Sequence, residues 1–171
     1  MADKQLAVTA EEIDAVVGKF STYRGIVVLE SFYADASTSS TDETDLFSYS
    51  VPANTLANNG DILKFPVQFD ASASPTNVYI KFYFAGSSIT WVDSTVSGYG
   101  HGTFEIVRVS ASVCRVSVYG TGINSSWYAV NKYTEFTSKD WTISNIIKVT
   151  GQCATNAIVA KFGYIECKSL A

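Results

Sequence analysis

Apolar and polar residues alternate with a period of two along most of the chain after residue 25. In residues 77–84, NVYIKFYF, four apolar residues share one face, and the opposite face carries Tyr79, Lys81 and Tyr83. A period of two is typical of a β-strand with one buried face. The pattern therefore predicts strands rather than helices over this part of the chain.

About ten short segments show this strand pattern, and turns rich in Gly, Ser, Asn and Asp separate them. They lie at residues 26–33, 46–51, 63–69, 77–84, 87–93, 102–110, 112–120, 125–136, 140–151 and 156–167. Many short strands with regular turns are typical of antiparallel sandwiches and barrels, and the lack of a second helical pattern argues against βαβ units. We predict an all-β, antiparallel β-sandwich that is jelly-roll-like.

Residues 1–24 differ from the rest because their pattern is helical. Thr9 and Glu12 have the spacing of a capping box, which predicts a short N-terminal helix over residues 10–17. A helix of about two turns is stable only when it docks on another surface. We therefore divide the chain into an N-terminal helical attachment segment, 1–24, and a β-sandwich domain, 25–171. The apolar side of the helix, formed by Ile13, Val16 and Val17, fits either a partner's groove or the chain's own sandwich.

Three local features refine the strand prediction. Pro66 interrupts the strand at 63–69, and because proline has no N–H to donate, we expect this strand at a sheet edge or at a bulge. The preceding Asn58–Asp61 segment has the side chains of a tight turn. Residues 34–45, ADASTSSTDETD, have the composition of a mobile loop.

Composition and charge exclude several classes of partner. The 171 residues carry a net charge of −4, and no stripe of Lys or Arg is present, which argues against nucleic-acid binding. No apolar run approaches the roughly 18 residues of a membrane span, so we expect no membrane partner. The N-terminus lacks the pattern of a secretory signal.

Residues that could carry chemistry are few. The three cysteines, Cys114, Cys153 and Cys167, form no C-x-x-C pair, so we interpret them as buried core residues. The only histidine, His101, has no serine motif or metal-ligand spacing around it, and we expect it at a turn or at the start of a strand. We also expect that replacing His101 with alanine leaves the function intact.

Acidic residues give two weaker hypotheses. The cluster Asp42, Glu43 and Asp45 lacks the spacing of a calcium loop and is interpreted as a solvated loop. A glycosidase would need two paired carboxylates, for which the candidates are Asp93, Glu105 and Glu135. The sequence does not pair them, and we expect no catalytic residue, no cofactor, no metal and no enzymatic activity.

Aromatic residues make up 13% of the chain, and they suit either a sugar-stacking platform or a core and subunit interface. The platform candidates are Trp91, Tyr99, Trp127, Tyr128, Tyr133 and Trp141. Trp141 alternates with Ile143, Ile147 and Val149, which predicts a core position. The candidate interface or ligand aromatics are Tyr79, Tyr83, Trp127 and Tyr128.

Four segments together resemble a known group of proteins. They are YSVPANTLANNGDILKF, NVYIKFYFAGSSI, GTFEIVRVS and the closing DWTISNIIKVTGQCATNAIVAKFGYIE. With their shared features Val51–Leu56, Asn59–Asp61, Trp141 and Gly151–Gln152, they cover most of residues 45–168. The chain resembles the β-rich domains of tailed-bacteriophage virion structural proteins, which include capsid-decoration, head-fibre and tail-fibre proteins.

The resemblance implies a jelly-roll module that assembles as a homotrimer and brings no enzymatic residues with it. It implies a virion location, with assembly in the cytoplasm of the host bacterium. The partner would be the phage major capsid protein or another virion protein, held through Ile13, Val16 and Val17. A trimeric capsid decoration or head-fibre protein is the first expectation. The alternatives are a tail-fibre or receptor-binding carbohydrate-binding module that binds a cell-surface glycan, and a small hydrolase.

Overall fold

The computed structural model describes residues 25–95, 97–122 and 131–169. It contains eleven β-strands in that part of the chain. They are β1 (Ile26–Phe32), β2 (Ala36–Thr38), β3 (Thr44–Val51), β4 (Ile62–Ala71), β5 (Val78–Phe84), β6 (Ser87–Ser94), β7 (Gly98–Arg108), β8 (Cys114–Gly122), β9 (Lys132–Phe136), β10 (Asn145–Gln152) and β11 (Ile158–Lys168).

The strands form two antiparallel sheets. The seven-stranded sheet has the order β1-β11-β4-β7-β8-β9, and β2 pairs with β11 on the same side as β1. The four-stranded sheet has the order β3-β10-β5-β6. The prediction of an all-β antiparallel sandwich is confirmed, whereas the finer jelly-roll assignment stays a prediction. The predicted helix and the whole segment 1–24 lie outside the described residues.

The core consists of the inward faces of the two sheets. Strands β4 and β5 alternate strictly between buried residues and residues that are partly or fully exposed, as their sequence pattern predicts. Aromatic rings from both sheets meet at the centre, where the Phe82 ring lies 5.2 Å from Phe104 and 6.3 Å from Phe65 and Trp91. Burial of these large apolar side chains supplies the main free energy that holds the sheets together.

Strand β4 is central, so the prediction of an edge strand from Pro66 is wrong. Residues of β4 pair with β7 along its whole length and with β11 on the other side. The β4–β11 ladder has bridges at Val67 and Lys64 and none between them. The sheet thus tolerates Pro66 by interrupting one ladder where a proline has no N–H to donate.

Residues 34–45 contain regular structure, which corrects the prediction of a mobile loop. Strand β2 pairs with β11, and β3 begins at Thr44. The polar residues between them bond locally: Thr38 Oγ1 donates to Thr44 Oγ1 (3.1 Å), and the Asp42 backbone N–H donates to Ser40 Oγ (2.9 Å). The Ser and Thr side chains therefore order the turn instead of leaving it free.

Trp141 lies in the core as predicted, but not by strand alternation. Its side chain is buried, whereas Ile143 is 55% exposed. Strand β10 begins only at Asn145, so residues 140–144 form a turn and the period of two starts later, with Ile147 and Val149 buried.

The turn at Asn58–Asp61 forms as predicted, and side chains from elsewhere hold it in place. Gly60 has a φ of 92°, and the Asn58 backbone N–H donates to Asp61 Oδ2 (2.7 Å). The Arg108 guanidinium donates to the Leu56 carbonyl (2.6 Å) and lies over the Trp141 ring at 5.4 Å. The Arg108 backbone also bonds to Gly60 (2.7 Å) and to Asp61 (3.0 Å), so this one residue holds the turn against β7.

The three cysteines are buried, which confirms their assignment to the core. Burial raises the pKa of the Cys114 thiol to about 11. A thiol with so high a pKa is protonated at neutral pH and is a poor nucleophile.

Candidate functional site

The outer face of the four-stranded sheet carries a hydrogen-bonded network centred on Glu43. Lys81 Nζ lies 2.7 Å from Glu43 Oε2, and the Thr150 hydroxyl donates to Glu43 Oε1 (2.9 Å). The Tyr83 hydroxyl also donates to Glu43 Oε1. Lys148 lies over the Tyr83 ring with its Nζ 4.9 Å from the centroid.

Two of the predicted ligand aromatics, Tyr79 and Tyr83, lie on this face of the sheet, and Tyr83 belongs to the Glu43 network. Tyr83 is half-buried and engaged at both its ring and its hydroxyl, while Tyr79 is half-buried further along the same strand, opposite Asp93. Whether either contacts a partner stays a prediction. The other two candidates, Trp127 and Tyr128, lie outside the described part of the chain.

Two residues of the acidic cluster, Glu43 and Asp45, are paired with lysines. Glu43 contacts Lys81, and Asp45 Oδ1 lies 2.7 Å from Lys148 Nζ. Among the described residues, no group of three or more His, Cys, Asp or Glu could hold a metal ion.

The Glu43 network makes stability depend on pH. Partial burial acts to raise the pKa of Glu43, but hydrogen bonds from Lys81, Tyr83 and Thr150 outweigh it and lower the pKa from 4.5 to about 2. A lowered pKa stabilises the fold above the unfolded-state value, and this contribution disappears as pH falls from about 4.5 to about 2. We expect Glu43→Gln to lose about 1 kcal/mol at pH 7, after allowance for solvent screening.

Urea unfolding between pH 2 and pH 7 measures this effect. The difference between wild type and Glu43→Gln should shrink towards zero at the acid end. Asp42→Asn is the control, because Asp42 is an exposed neighbour in the same turn. A constant difference across the whole pH range would contradict the prediction.

The outer face of the seven-stranded sheet carries a row of three aromatic side chains, Tyr33, Phe162 and Tyr164, which we name the aromatic row. The Phe162 ring centroid lies 5.7 Å from Tyr33 and 5.8 Å from Tyr164, with interplanar angles of 42° and 52°. Tyr33 is 76% exposed. The row therefore presents partly exposed ring surface across the β1–β11 side of the sheet.

Two hollows lie beside the aromatic row, and both have Gln68 and His101 in their walls. The first hollow, of about 230 Å³, is lined by Pro66, Val67, Gln68, His101, Phe162 and Tyr164. The second, of about 280 Å³, is lined by Gln68, Phe69, Tyr99, Gly100, His101 and Lys161. Gln68 and His101 are directly opposite each other on β4 and β7, and both are exposed. Polar groups thus stand between two patches of aromatic surface.

His101 lies within β7, where the sequence predicted a turn or the start of a strand. It pairs with Gln68 on one side and with Thr121 of β8 on the other. The glycines around it, which suggested a turn, instead face inwards. A Cβ on Gly102 would lie 3.0 Å from the Trp91 ring, and a Cβ on Gly120 would lie 2.5 Å from it. The absence of side chains at these two positions makes room for the indole under the sheet.

The remaining sequence candidates separate into buried and exposed groups. Trp91 and Trp141 are buried, so neither belongs to a sugar-stacking platform. Tyr99 and Tyr133 are 52% and 63% exposed on the seven-stranded sheet. Ile13, Val16 and Val17 lie outside the described residues, as does the first half of the strand predicted at 125–136.

The three carboxylates considered for hydrolysis are separated. Glu105 lies 3.1 Å from Lys64, and Glu135 lies 3.3 Å from Arg115. Asp93 lies in the other sheet, on β6. The structure therefore pairs Glu105 and Glu135 with cations rather than with each other.

Strand β1 exposes apolar side chains at one edge of the seven-stranded sheet. Ile26, Val27 and Val28, which we name the edge patch, are 62%, 56% and 56% exposed. The register with β11 places Val27 opposite the inward-facing Cys167, and its two neighbours on the outer side. The start of this strand is thus apolar on both faces.

The opposite edge of the same sheet is different. Strand β9 carries Lys132 and Glu135 along five residues, and charges of this kind prevent unwanted pairing of edge strands. In β1 the only charged residue is Glu30, which accepts the backbone N–H of Ser31 (2.9 Å). The edge patch lacks such protection.

No protein-family model and no curated protein matches the chain. Solved structures give only distant likenesses. The chain is similar to the EclA C-terminal domain, a sugar-binding protein, with 7% identity, a TM-score of 0.37 and 81% of each chain covered. It is similar to a carbohydrate esterase of the Shiga toxin-encoding bacteriophage phi24B, with 10% identity, a TM-score of 0.41, and 85% of this chain and 100% of that chain covered. A chain of the T13 IBDV viral particle gives 12% identity, a TM-score of 0.40, and 85% and 32% coverage.

The comparisons correct one expectation from the sequence. We expected a protein without enzymatic activity, but enzymes are among the structures that the chain is similar to. Besides the esterase they include the alginate lyase Aly36B, with 6% identity, a TM-score of 0.37, and 96% of this chain and 92% of that chain covered.

In the described residues, no helix is long and apolar enough to cross a membrane.

Proposed function

We propose that this chain is a surface subunit of a tailed-bacteriophage particle, a trimeric capsid decoration or head-fibre protein. The observation that carries the proposal is the position of the edge patch. Strand β1, apolar on both exposed faces, follows directly on the segment 1–24 that the sequence predicts as the attachment device. The resemblance to virion structural proteins over residues 45–168 supports the same function.

Exposed apolar strand edges need cover in solution, because unpaired backbone groups beside apolar side chains promote association. A second and third copy of the chain supply that cover in the proposed trimer. In this arrangement the subunits contact one another through the edge patch.

The proposal assigns attachment to Ile13, Val16 and Val17, with the major capsid protein or another virion protein as the partner. The protein is then located on the virion and is assembled into it in the host cytoplasm. A chain lacking residues 1–24 should melt cooperatively near the parent temperature, because the sandwich has its own core, but it should no longer bind particles that lack the full-length protein. Binding equal to that of the parent would contradict this assignment.

The proposed trimer predicts the mass of the purified protein in solution. Light scattering on the purified chain should give three times the 18.5 kDa chain mass. We expect Val27→Lys to give monomers at micromolar concentration, because it places a charge in the edge patch.

The matched control is Ile143→Lys, which changes an equally exposed apolar residue outside β1 and should leave the trimer intact. A monomeric wild type at micromolar concentration would overturn the trimer. A trimer that survives Val27→Lys would place the contact elsewhere.

Quantitative mass spectrometry of purified particles tests the virion assignment itself. Several hundred copies per particle would agree with a capsid decoration, and a few tens or fewer with a tail component. Absence of the chain from purified particles would contradict the proposed function.

A further inference from the structure

The aromatic row and its two hollows form a surface that the proposed assembly does not use. The edge patch and segment 1–24 account for association, whereas Phe162, Tyr164 and His101 lie on the outer face of the sheet. Exposed aromatic surface on a folded domain usually marks a binding site. The chemistry of the surrounding side chains identifies the kind of ligand.

Aromatic rings offer flat apolar surface, and sugars present flat C–H faces that stack on it. The 5.7 Å and 5.8 Å spacings of the row are comparable to the length of one hexose unit, so successive rings suit successive sugars of a chain. Ligand sites of this kind combine apolar walls with a few polar groups that fix orientation. Here those groups are the Gln68 amide, the His101 imidazole and the Thr121 hydroxyl, which can donate to and accept from sugar hydroxyls.

The charges around the hollows favour an uncharged ligand. Lys161, which lines the second hollow, is paired with Asp35 at 2.8 Å. Lys64, further along the same face, is paired with Glu105 at 3.1 Å. Because each of these cations already has a carboxylate partner, the surface offers little net charge to an acidic sugar.

A rigid support lies beneath this surface. Trp91 packs from the other sheet against Gly102, which follows His101 in β7, and against Gly120, the partner of Gly102 in β8. The strands that carry Gln68 and His101 also lie in the middle of the seven-stranded sheet. Preformed sites on such elements lose little entropy on binding.

We propose that the aromatic row, together with Gln68, His101 and Thr121, binds a neutral glycan laid across the outer face of the seven-stranded sheet. Tyr33, Phe162 and Tyr164 stack on successive sugar rings, and the polar side chains bond to the hydroxyl groups. The assignment makes His101 a ligand residue and reverses the expectation that its replacement is harmless.

Isothermal titration calorimetry of the full chain tests the proposal. The probes are linear gluco-, galacto- and manno-oligosaccharides, with oligogalacturonate as the acidic comparison. At least one neutral oligosaccharide should bind saturably and more tightly than oligogalacturonate. We expect Phe162→Ala and Tyr33→Ala each to weaken binding about tenfold, and His101→Ala about fivefold.

Tyr133→Ala is the matched control, because Tyr133 is an exposed aromatic residue on the same sheet but lies on β9, outside both hollows. It should leave the affinity unchanged. Tyr33→Ala keeps the test valid if Phe162→Ala does not fold, since Tyr33 is 76% exposed.

Three results would overturn the proposal: no saturable binding of any neutral probe, tighter binding of oligogalacturonate, or affinities that Tyr33→Ala and Phe162→Ala leave unchanged in folded protein. Light scattering on the same samples measures the oligomeric state, so the proposed trimer and the proposed glycan site are tested independently. A trimer that binds no glycan would contradict the glycan site alone.

Discussion

Replacing Gly120 with alanine should lower the free energy of unfolding by about 3 kcal/mol. A Cβ at this position would lie 2.2 Å from the His101 carbonyl oxygen and 2.5 Å from Trp91 Cζ2. The first contact is with backbone in a paired strand, and the second is with a fully buried ring. Neither group can move away as the end of an exposed side chain would, so the β7–β8 ladder itself must shift.

Urea unfolding of wild type and Gly120→Ala measures the loss. Gly25→Ala is the control, because a Cβ on Gly25 has no heavy atom within 4 Å. It should change stability by no more than about 0.5 kcal/mol. Equal stability of Gly120→Ala and wild type would mean that the β7–β8 region repacks more freely than its contacts indicate.

The sequence predicted the fold wherever one period persisted along a strand. In β5 the alternation continues without interruption, and the buried residues Val78, Ile80, Phe82 and Phe84 follow it. Prediction failed where a local rule depended on distant partners. Pro66 lies in a central strand because the β4–β11 ladder has a gap there, and nothing in the local sequence shows that gap.

The candidate glycan surface was not predictable for a related reason. Strand β11 shifts register between Ala160 and Phe162, so the two lie on opposite sides of the sheet although they are two residues apart. A one-residue shift moves every following side chain to the other face. Nothing in the local sequence indicates that Phe162 and Tyr164 are partly exposed. Of the six platform candidates, Trp91 and Trp141 are buried, and Tyr99 lines the second hollow.

The partners of Glu43 show a further limit of prediction from the sequence. Thr150 is 107 residues away in the sequence and Lys81 is 38 residues away, so only the sheet order brings them together. Charge composition alone suggested a solvated acidic loop. The strand pairing converts one of its carboxylates into a hydrogen-bonded group with a pKa of about 2.

Truncation of the ring at the centre of the sandwich should have the largest effect of any single change considered. Phe82→Ala removes the side chain that contacts Phe65, Trp91 and Phe104, at centroid distances of 5.2 Å to 6.3 Å. We expect a loss of about 3–5 kcal/mol, because buried phenylalanine combines lost transfer free energy with an unfilled cavity. That is a large part of the 5–15 kcal/mol that stabilises a typical domain.

Urea unfolding of Phe82→Ala, Phe82→Leu and Tyr133→Ala separates the cavity from the loss of an aromatic ring. Phe82→Leu refills part of the space and should recover part of the stability, whereas Tyr133→Ala removes an exposed ring and should stay within about 0.5 kcal/mol of wild type. The four-stranded sheet packs on the other sheet through this ring, so its loss weakens the contact between the two layers rather than a single strand. A loss below about 1 kcal/mol for Phe82→Ala would show that the sheets close the cavity by moving together, against the rigid packing expected of interlocked rings.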